Sequence, residues 1–575
     1  MALDRPNVVF LSVDALRADR CSLYGYDRPT TPNLERLAKR AIVCDNAYSL
    51  AAFTQGSFPS MLTSTRPLSH GGYDNGAMGR PESVFSLFHR AGWSMNVLSS
   101  FKWVSRYFGY GQDFDREEHL YSPKGLMGTA VNRTKSSIIN WRNGRLSNDE
   151  MLSLITQVFE KLFHDLNDYC ENKLRTIDFD QVDFSNTHLI LDGFDYPAIQ
   201  RNVAGHRERF RADPMAYVDR YFTKIPEAHE WMAADWRLCR KPARLVGEAL
   251  HRVTNKMLAA VSPSRAVLRQ NRIKQFVDGH ALANRVIRVI REQQNSKPFF
   301  VWTHFLDTHV PYLPGQGQSW YRHAHHYLEA LGYGRSIDLA IAPHKRPLHP
   351  DHRPAWSALY DAALRYVDEQ IGRILDAIDA SDHADNTLVV VCGDHGEELG
   401  EHGNYSHYFR LHRHNTWVPM VFSHPGLEPQ RVPTMTSLLD LAPTLADLAG
   451  IDPAEGWEGR PVTSPEAAAR RHLVLETFYG GNCLFALRPL YMAVRTPNHG
   501  FLWKEHMDPE DKFGPEGNEL YDVTTDPLEQ NNLFRPDHPL VREFLPLIAQ
   551  RLSQIPEIAP ERWQALLTPL EESAP

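Results

Sequence analysis

Short apolar runs of strand length alternate with helical patterns of apolar positions along most of the chain. The runs of strand length are residues 7–13, 94–99, 298–304, 387–392 and 418–422. The helical patterns are residues 83–91, 281–291, 360–378 and 437–449. Such alternation is typical of a parallel sheet covered on both faces, so it predicts an α/β fold with a mostly parallel central sheet flanked by helices.

The alternation stops at about residue 117 and resumes near residue 275. The segment between these positions is charged and helical in pattern, which predicts a largely helical insertion at about 117–275 within a catalytic domain of residues 1–452. Aromatic residues at helical spacing are more often core than contact surface, although they would also suit a homo-oligomer formed through the insertion. Those of the insertion include Trp141, Tyr217, Tyr221, Trp231 and Trp236.

Residues 453–575 follow a different pattern. The stretch 490–504 is typical of a β-hairpin, and the stretch 539–555 repeats apolar positions at helical spacing. We therefore predict a C-terminal α+β subdomain with a small antiparallel sheet and a helix.

Composition narrows the classes of function. The 575 residues carry a net charge of −8 and a pI of about 6.4, which argues against a nucleic-acid partner. No apolar run approaches the roughly 20 residues of a membrane-spanning helix, and the N-terminus has no signal-peptide pattern. The six cysteines show neither metal-site nor disulfide spacing. We expect a cytoplasmic protein with free thiols and no membrane span; a removed signal peptide is the alternative.

Thr54 lies where a small, polar run gives way to a helical pattern, and we predict it as the last loop residue before a helix. A hydroxyl there faces backbone N–H groups that have no partner within the helix, with the positive end of the helix dipole behind them. Anions bind at such positions. Thr54 and Ser57 are therefore candidate site residues, and simple helix capping is the alternative.

Other polar residues follow predicted strands, where α/β folds place their ligands. Asp14 ends the first apolar run, and Asp307 and His309 follow the run at 298–304. For Asp14, capping of the next turn is the alternative explanation.

The pair Asp394 and His395 ends the continuously apolar run at 387–392 and is flanked by glycines. Two polar groups at the end of a buried strand need partners, and a metal ion would satisfy both. His407 follows shortly afterwards. We therefore predict a metal site at this strand end.

These residues and further motifs make the chain similar to the sulfatase family of the alkaline phosphatase superfamily. The matching motifs occur in family order at residues 13–19, 31–34, 307–312, 393–397, 440–445 and 519–523. Only the insertion is unmatched. The resemblance implies an alkaline-phosphatase-like sandwich and a hydrolase that acts on phosphoric or sulfuric ester bonds.

The nucleophile loop departs from that of true sulfatases, in which a Cys or Ser is oxidised to formylglycine. Thr54 occupies that position, with Gly56 in place of the motif's proline and Phe58 in place of its arginine. The loop instead resembles the threonine loop of the phosphoethanolamine transferases, so we expect no formylglycine. A threonine adduct must be cleaved by water at the central atom, which is easier for a phosphate than for a sulfate.

The resemblance implies a divalent metal ion held by Asp14, Thr54, Asp394 and His395. A histidine at position 395, where calcium sulfatases often carry asparagine, favours zinc or manganese; calcium and magnesium are the alternatives. Ala15 replaces the second aspartate of the family's usual pair, so one ligand is missing or comes from elsewhere.

The remaining site residues are assigned in the same way. His309 and His407 would bind the non-bridging oxygens or protonate the leaving group, as catalytic residues beside Thr54. Ser57, Lys102 and Asp307 are the candidate substrate-binding residues. Lys102 resembles the family's active-site lysine, and a surface position is its alternative.

The expected function is hydrolysis of a phosphodiester or phosphonate monoester through a covalent phosphothreonine at Thr54. The alternatives are a sulfate-ester hydrolase, a phosphotransferase to an alcohol, and an inactive anion-binding protein. The expected partner is a small-molecule, glycan or lipid-headgroup ester of phosphate or sulfate.

Overall fold

A computed structural model gives the fold of the chain. It describes residues 3–73, 76–111, 114–121, 123–176, 195–223, parts of 246–260, 277–293, 297–310, 312, 350–407, 409–478, 489–505 and 517–567. Trp231 and Trp236 of the predicted insertion lie outside these ranges. Within the ranges, four buried cysteines form no disulfide bond: Cys21, Cys44, Cys170 and Cys392.

The strands of the described chain are β1 (Asn7–Val13), β2 (Ala41–Tyr48), β3 (Ser94–Ser99), β4 (Arg116–His119), β5 (Phe299–Phe305), β6 (Thr387–Gly393), β7 (Glu398–Leu399), β8 (Tyr405–Ser406), β9 (Met420–Ser423), β10 (Gln430–Ser437), β11 (Leu473–Phe478), β12 (Leu490–Arg495), β13 (His499–Lys504) and β14 (Glu519–Asp522). Eight of them form the central sheet, in the order β10-β2-β9-β6-β1-β5-β3-β4. All pairs are parallel except the two that β9 makes with β2 and β6. The predicted α/β fold with a mostly parallel sheet is confirmed.

The described helices are α1 (Pro32–Ala38), α2 (Thr54–Thr63), α3 (Val84–Arg90), α4 (Lys124–Arg142), α5 (Asn148–Thr176), α6 (Tyr196–Ala212), α7 (Pro214–Val218), α8 (Gly279–Glu292), α9 (Arg353–Asp379), α10 (Arg413–Thr416), α11 (Leu441–Leu448), α12 (Pro465–Ala468), α13 (Pro539–Ser553) and α14 (Pro560–Gln564). The helix predicted at 360–378 begins earlier, at Arg353. The buried Trp356 and Leu359 extend its apolar face by a further two turns.

Both faces of the central sheet are buried in hydrophobic core. Val8 and Phe10 of β1 belong to one core cluster, whereas Val9 and Leu11 belong to the cluster on the opposite face. Alternate residues of a strand point to opposite faces, so a strand between two helical layers is apolar throughout. This is why the apolar runs of the sequence located the strands to within two residues.

The chain segment beyond residue 453 forms a second sheet, antiparallel, in the order β11-β12-β13-β14. The hairpin predicted at 490–504 is β12 and β13, which pair in antiparallel register. Helix α13 packs on this sheet through Phe544, Ile548 and Leu552, which share a core cluster with the strands. The division of the chain into domains at residue 453 stays a prediction.

Helices α4 to α7 lie in the region predicted as an insertion. The predicted start near residue 117 falls within β4, which belongs to the central sheet. Phe159 of α5 stacks on Phe210 of α6, with ring centroids 4.6 Å apart, and Tyr217 is buried beside them. These aromatic residues therefore form core. Within the described ranges, no helix combines the length and apolar character that a bilayer span requires.

Candidate active site

The register of the central sheet brings two carboxylates together. Val13 at the end of β1 is level with Gly393 at the end of β6. The next residues, Asp14 and Asp394, are consequently neighbours at the carboxyl edge of the sheet, and both are fully buried. Ala15 has a left-handed backbone with φ of 52°, and its N–H donates to Asp394 Oδ1 at 3.1 Å. This bond fixes the Asp394 carboxylate beside the loop that carries Asp14.

The Thr54 hydroxyl points at these carboxylates. Thr54 is the first residue of α2, not the last loop residue, and the cap position belongs to Phe53, so the capping alternative is wrong. Its Oγ1 lies 3.0 Å from Asp14 Oδ2, to which the hydroxyl donates, and 3.1 Å from His395 Nε2. The hydroxyl is thus held by side chains from two other strand ends.

The three predicted histidines form a row of neighbouring rings that begins at this hydroxyl with His395. The His395 ring lies 4.3 Å from that of His407, which lies 4.9 Å from that of His309, measured between centroids. His395 Nδ1 is 2.7 Å from the carbonyl oxygen of Gly396, which orients Nε2 towards Thr54. Burial and the neighbouring His407 lower the pKa of His395 well below its usual range, and burial lowers the pKa of His309.

Glu397 belongs to the site, and our sequence analysis did not assign it a role. Its Oε1 lies 3.2 Å from His407 Nδ1. Burial alone would lower the pKa of His407, but Glu397 and Asp14 outweigh burial and raise it. His407 therefore holds a proton to higher pH than a free histidine does. The signal was available, because Glu397 closes the matched motif at 393–397.

His304 is a second residue that our sequence analysis missed. This fully buried side chain near the end of β5 has its Nε2 3.4 Å from Asp14 Oδ2 and 3.8 Å from Asp394 Oδ2. Its other nitrogen, Nδ1, lies 2.9 Å from Ser12 Oγ. A histidine inside an apolar, buried strand needs polar partners, and that requirement could have marked it.

Two carboxylate oxygens of the site, Asp14 Oδ1 and Asp394 Oδ2, have no hydrogen-bond partner among the described residues. Burial and the neighbouring Asp14 raise the pKa of Asp394 well above its usual range. Two buried carboxylates side by side are unfavourable unless a cation compensates them. Carboxylates, imidazole nitrogens and a hydroxyl are suitable ligands for a divalent metal ion, so the residues fit one.

Two of the predicted substrate-binding residues contact other parts of the molecule. Ser57 Oγ lies 3.0 Å from the carbonyl oxygen of Phe53 and 2.9 Å from Ser49 Oγ, so these contacts brace the start of α2. Asp307 lies against the start of α8, where a Cβ at Gly279 would come within 2.6 Å of its Oδ2. A substrate-binding role for Ser57 or Asp307 stays a prediction.

Lys102 is half-buried in the loop after β3. Its Nζ lies 4.5 Å from the centre of the Trp103 ring, and burial lowers its pKa to about 8. The preceding Phe101 ring lies 6.3 Å from that of His304. The loop that carries Lys102 therefore borders the site.

Comparison with known proteins agrees with this geometry. The family model described as Sulfatase matches residues 6–160 and 203–451. The chain belongs to the sulfatase family. It is similar to the choline-sulfatase of Rhizobium meliloti (strain 1021), with 33% identity over 179 residues, which cover 30% of this chain and 32% of that protein.

A further relative and a solved structure match over nearly the whole chain. The N-acetylglucosamine-6-O-sulfatase of Bacteroides thetaiotaomicron is 23% identical over 550 residues, covering 92% of this chain and 83% of that protein. A structure solved with its substrate D-glucosamine-2-N,6-O-disulfate superposes with a TM-score of 0.53 at 15% identity, covering 98% and 99% of the two chains. At this identity the likeness supports the fold alone, which is the predicted alkaline-phosphatase-like one. These matches place the chain in a family whose members are hydrolases.

Proposed function

We propose that this chain hydrolyses sulfate esters, with the Thr54 hydroxyl as the nucleophile. The observation that carries the proposal is the position of Thr54 Oγ1, 3.0 Å from Asp14 Oδ2 and 3.1 Å from His395 Nε2 at the carboxyl edge of the sheet. Sulfate rather than phosphate is the first choice because the relatives that match over most of the chain are sulfatases. This choice replaces the phosphate ester expected from the loop alone.

The residues that would hold a divalent metal ion are Asp14, Asp394 and His395, with His304 as a further neighbour of both carboxylates. When bound there, the ion would offset the two carboxylates and lower the pKa of the Thr54 hydroxyl. Zinc or manganese remains our preferred identity, because imidazole nitrogen is a poor ligand for calcium and magnesium.

The proposed reaction forms a bond between Thr54 Oγ1 and sulfur while the ester S–O bond breaks. Asp14 Oδ2 already accepts the hydroxyl hydrogen bond and takes its proton. The leaving alkoxide takes a proton from His407, whose pKa is raised by Glu397 and Asp14 against the effect of burial. Water then attacks sulfur and gives a proton to His407, while the bond between Thr54 Oγ1 and sulfur breaks. The Thr54 oxygen takes back the proton from Asp14, and sulfate leaves as hydrogensulfate, which restores both side chains and Thr54.

The substrate class we propose is a small sulfated alcohol or sugar. Relatives of this chain are described by such substrates, including choline sulfate and N-acetylglucosamine-6-sulfate. Lys102 and His309 are the cationic and hydrogen-bonding groups that we assign to the sulfate oxygens. Formylglycine has no part in this mechanism, because threonine carries a methyl group on the carbon that would become the aldehyde.

A phosphate ester is the second candidate, and Thr54 itself favours it. A sulfothreonine must be cleaved at sulfur, whereas a phosphothreonine beside a metal site is cleaved more readily at phosphorus. The phosphate could then pass to water or to an alcohol acceptor.

The test is a rate comparison on p-nitrophenyl sulfate, p-nitrophenyl phosphate, bis-p-nitrophenyl phosphate and a phenylphosphonate monoester. The wild-type chain and Thr54→Ala would be compared on each ester, with Ser49→Ala as the matched hydroxyl control outside the cluster. Fastest Thr54-dependent turnover on the sulfate supports the proposal. Fastest turnover on a phosphorus ester replaces it with the second candidate, and absence of Thr54-dependent turnover on all four contradicts both.

A further inference from the structure

A second group of histidines lies outside the cluster around Thr54. His402 sits in the turn between β7 and β8, and His412 and His414 flank the first residue of α10. Potential ligand atoms of the three rings all lie within 4.8 Å of one another. The His402 and His412 rings are 3.9 Å apart between centroids, and the His412 and His414 rings are 5.5 Å apart.

Four of the six ring nitrogens in this group lack hydrogen-bond partners among the described residues. His412 and His414 are buried, and His402 is half-buried, which leaves the group open to solvent on one side. His402 Nε2, His412 Nδ1 and both ring nitrogens of His414 have no hydrogen-bond partner among the described residues. Buried polar atoms normally have hydrogen-bond partners, so several such atoms within 4.8 Å of one another indicate a missing ligand. Three imidazolium cations at these distances would repel one another, whereas neutral rings present lone pairs.

Carboxylates behind the rings hold them in place. Glu519 Oε2 lies 2.8 Å from His412 Nε2 and also accepts from the Tyr521 hydroxyl at 2.7 Å. This contact leaves His412 Nδ1 as the nitrogen that faces the group. Glu398 Oε1 lies 3.7 Å from His414 Nε2. A carboxylate that orients a histidine from its outer nitrogen is a common support in metal sites.

We propose that His402, His412 and His414 bind a transition-metal ion, with Zn²⁺ as the first choice, at a site separate from the one around Thr54. Three imidazole ligands suit zinc, and the half-exposed side of the group leaves a fourth position for water. This proposal does not rest on the proposed sulfate-ester chemistry.

The ion would connect two backbone segments that lie next to the active-site residues Gly396 and Glu397. The turn at 400–403 carries one ligand, and the segment 412–414 carries the other two. The carbonyl oxygen of His414 accepts from the N–H of Glu397 at 3.2 Å, and that of Asn415 accepts from Gly396 at 2.7 Å. A metal ion at the three rings would therefore fix the backbone from which Glu397 reaches His407.

The test is zinc content in a chain whose first cluster has been disabled. Asp14→Asn/Asp394→Asn protein would be loaded with zinc, dialysed and measured by plasma mass spectrometry. We expect about one zinc ion per chain, the amount for a single site, and its loss on adding His402→Gln and His414→Gln. His89→Gln changes a half-exposed histidine on α3 and should leave the zinc content unchanged.

A second measurement covers the case in which the combined variants do not fold. Full-length wild-type protein and His402→Gln would be titrated with Co²⁺ and followed by the visible absorption of four-coordinate cobalt. We expect the affinity of one cobalt site to fall at least about 10-fold in His402→Gln, the effect that even a supporting residue has. The proposal would be overturned if the histidine substitutions left the zinc content unchanged. It would also be overturned if the two proteins gave identical cobalt spectra.

Discussion

The central sheet and the C-terminal sheet both bury charged side chains, but these side chains differ in how completely they are hydrogen-bonded. In the C-terminal region, Glu476 is fully buried and its two carboxylate oxygens accept from Arg551 at 2.6 and 2.9 Å and from the N–H of Leu68 at 2.8 Å. At the carboxyl edge of the central sheet, Asp14 and Asp394 are buried equally deeply, yet each keeps one oxygen without a hydrogen-bond partner in the part of the chain that the structure describes.

The difference separates structural charges from functional ones. A buried ion pair with all its partners present is inert, whereas two adjacent carboxylates without a cation cost stability. That cost is accepted at sites that bind ligands, where stability and activity oppose each other. The unpaired oxygens of Asp14 and Asp394 are therefore the best structural evidence for the active site.

The largest effect expected concerns the nucleophile. Thr54→Ala removes the hydroxyl and should lower turnover of a sulfate ester by at least about 10⁴-fold, as loss of a nucleophile does in other hydrolases. The folded state should change little, because Thr54 makes no capping bond. Initial rates and a thermal melt check both statements. A loss of less than tenfold would show that another group attacks the ester.

Substitutions in the ion pair between Glu476 and Arg551 should change stability and leave activity unaffected. Arg551→Met leaves the Glu476 carboxylate buried without its partner, so the free energy of unfolding should fall by about 3–5 kcal/mol. Chemical denaturation at pH 7 measures it, and Glu476→Leu/Arg551→Met is the control that should recover much of the loss. Arg551 outweighs burial and lowers the pKa of Glu476, so the contribution is full above the usual carboxyl range and is lost as the pH falls below it. An Arg551→Met protein as stable as wild type would contradict the structural role.

Removing a carboxylate from the pair Asp14 and Asp394 should instead raise the stability of the metal-free protein. In protein stripped of metal by a chelator, Asp394→Asn removes one of the two adjacent carboxylates and should raise the free energy of unfolding by about 1–2 kcal/mol. The same variant should have lost its activity in the presence of metal. Denaturation curves of metal-free wild type and metal-free Asp394→Asn measure this difference. If Asp394→Asn were less stable than wild type, Asp394 would have a structural role like that of Glu476.

The smallest expected effect concerns Lys102. Burial lowers its pKa to about 8, so its charge is present below that pH and is lost above it. If it binds the sulfate group, KM should rise by about 10-fold as the pH passes from 7 to 9, with little change in kcat. Lys102→Met should have the higher KM at both pH values. A KM that depends on pH equally in both proteins would exclude Lys102 from substrate binding.

The sequence predicted the fold well because the strands of a covered parallel sheet are apolar throughout. It also predicted Asp14, Thr54, Asp394 and the histidines that the structure brings together, since each follows a strand or begins a helix at one edge of the sheet. Ser57 and Asp307 show the limit of this reasoning. Both are close in sequence to site residues, but side-chain direction depends on tertiary packing, so their role in substrate binding stays a prediction.

His304 and the histidine group at 402, 412 and 414 show the complementary limit. His304 lies within a strand whose register with β1 sets its distance to Asp14, and register is a property of the folded sheet. His402 and His412 are separated along the chain and meet through a turn whose Gly403 has a φ of 76°. Proximity of this kind follows from backbone geometry, which residue types and spacing alone do not specify.

The most direct test of the central claim is turnover of a sulfate ester by metal-free protein during stepwise return of zinc or manganese. His402→Gln protein would be used beside the wild type, so that the histidine group does not contribute to the metal count. We predict no turnover without metal and a recovery in proportion to the metal bound, abolished by Asp394→Asn. Full turnover by the metal-free protein would contradict the assignment of the unpaired carboxylates to the reaction.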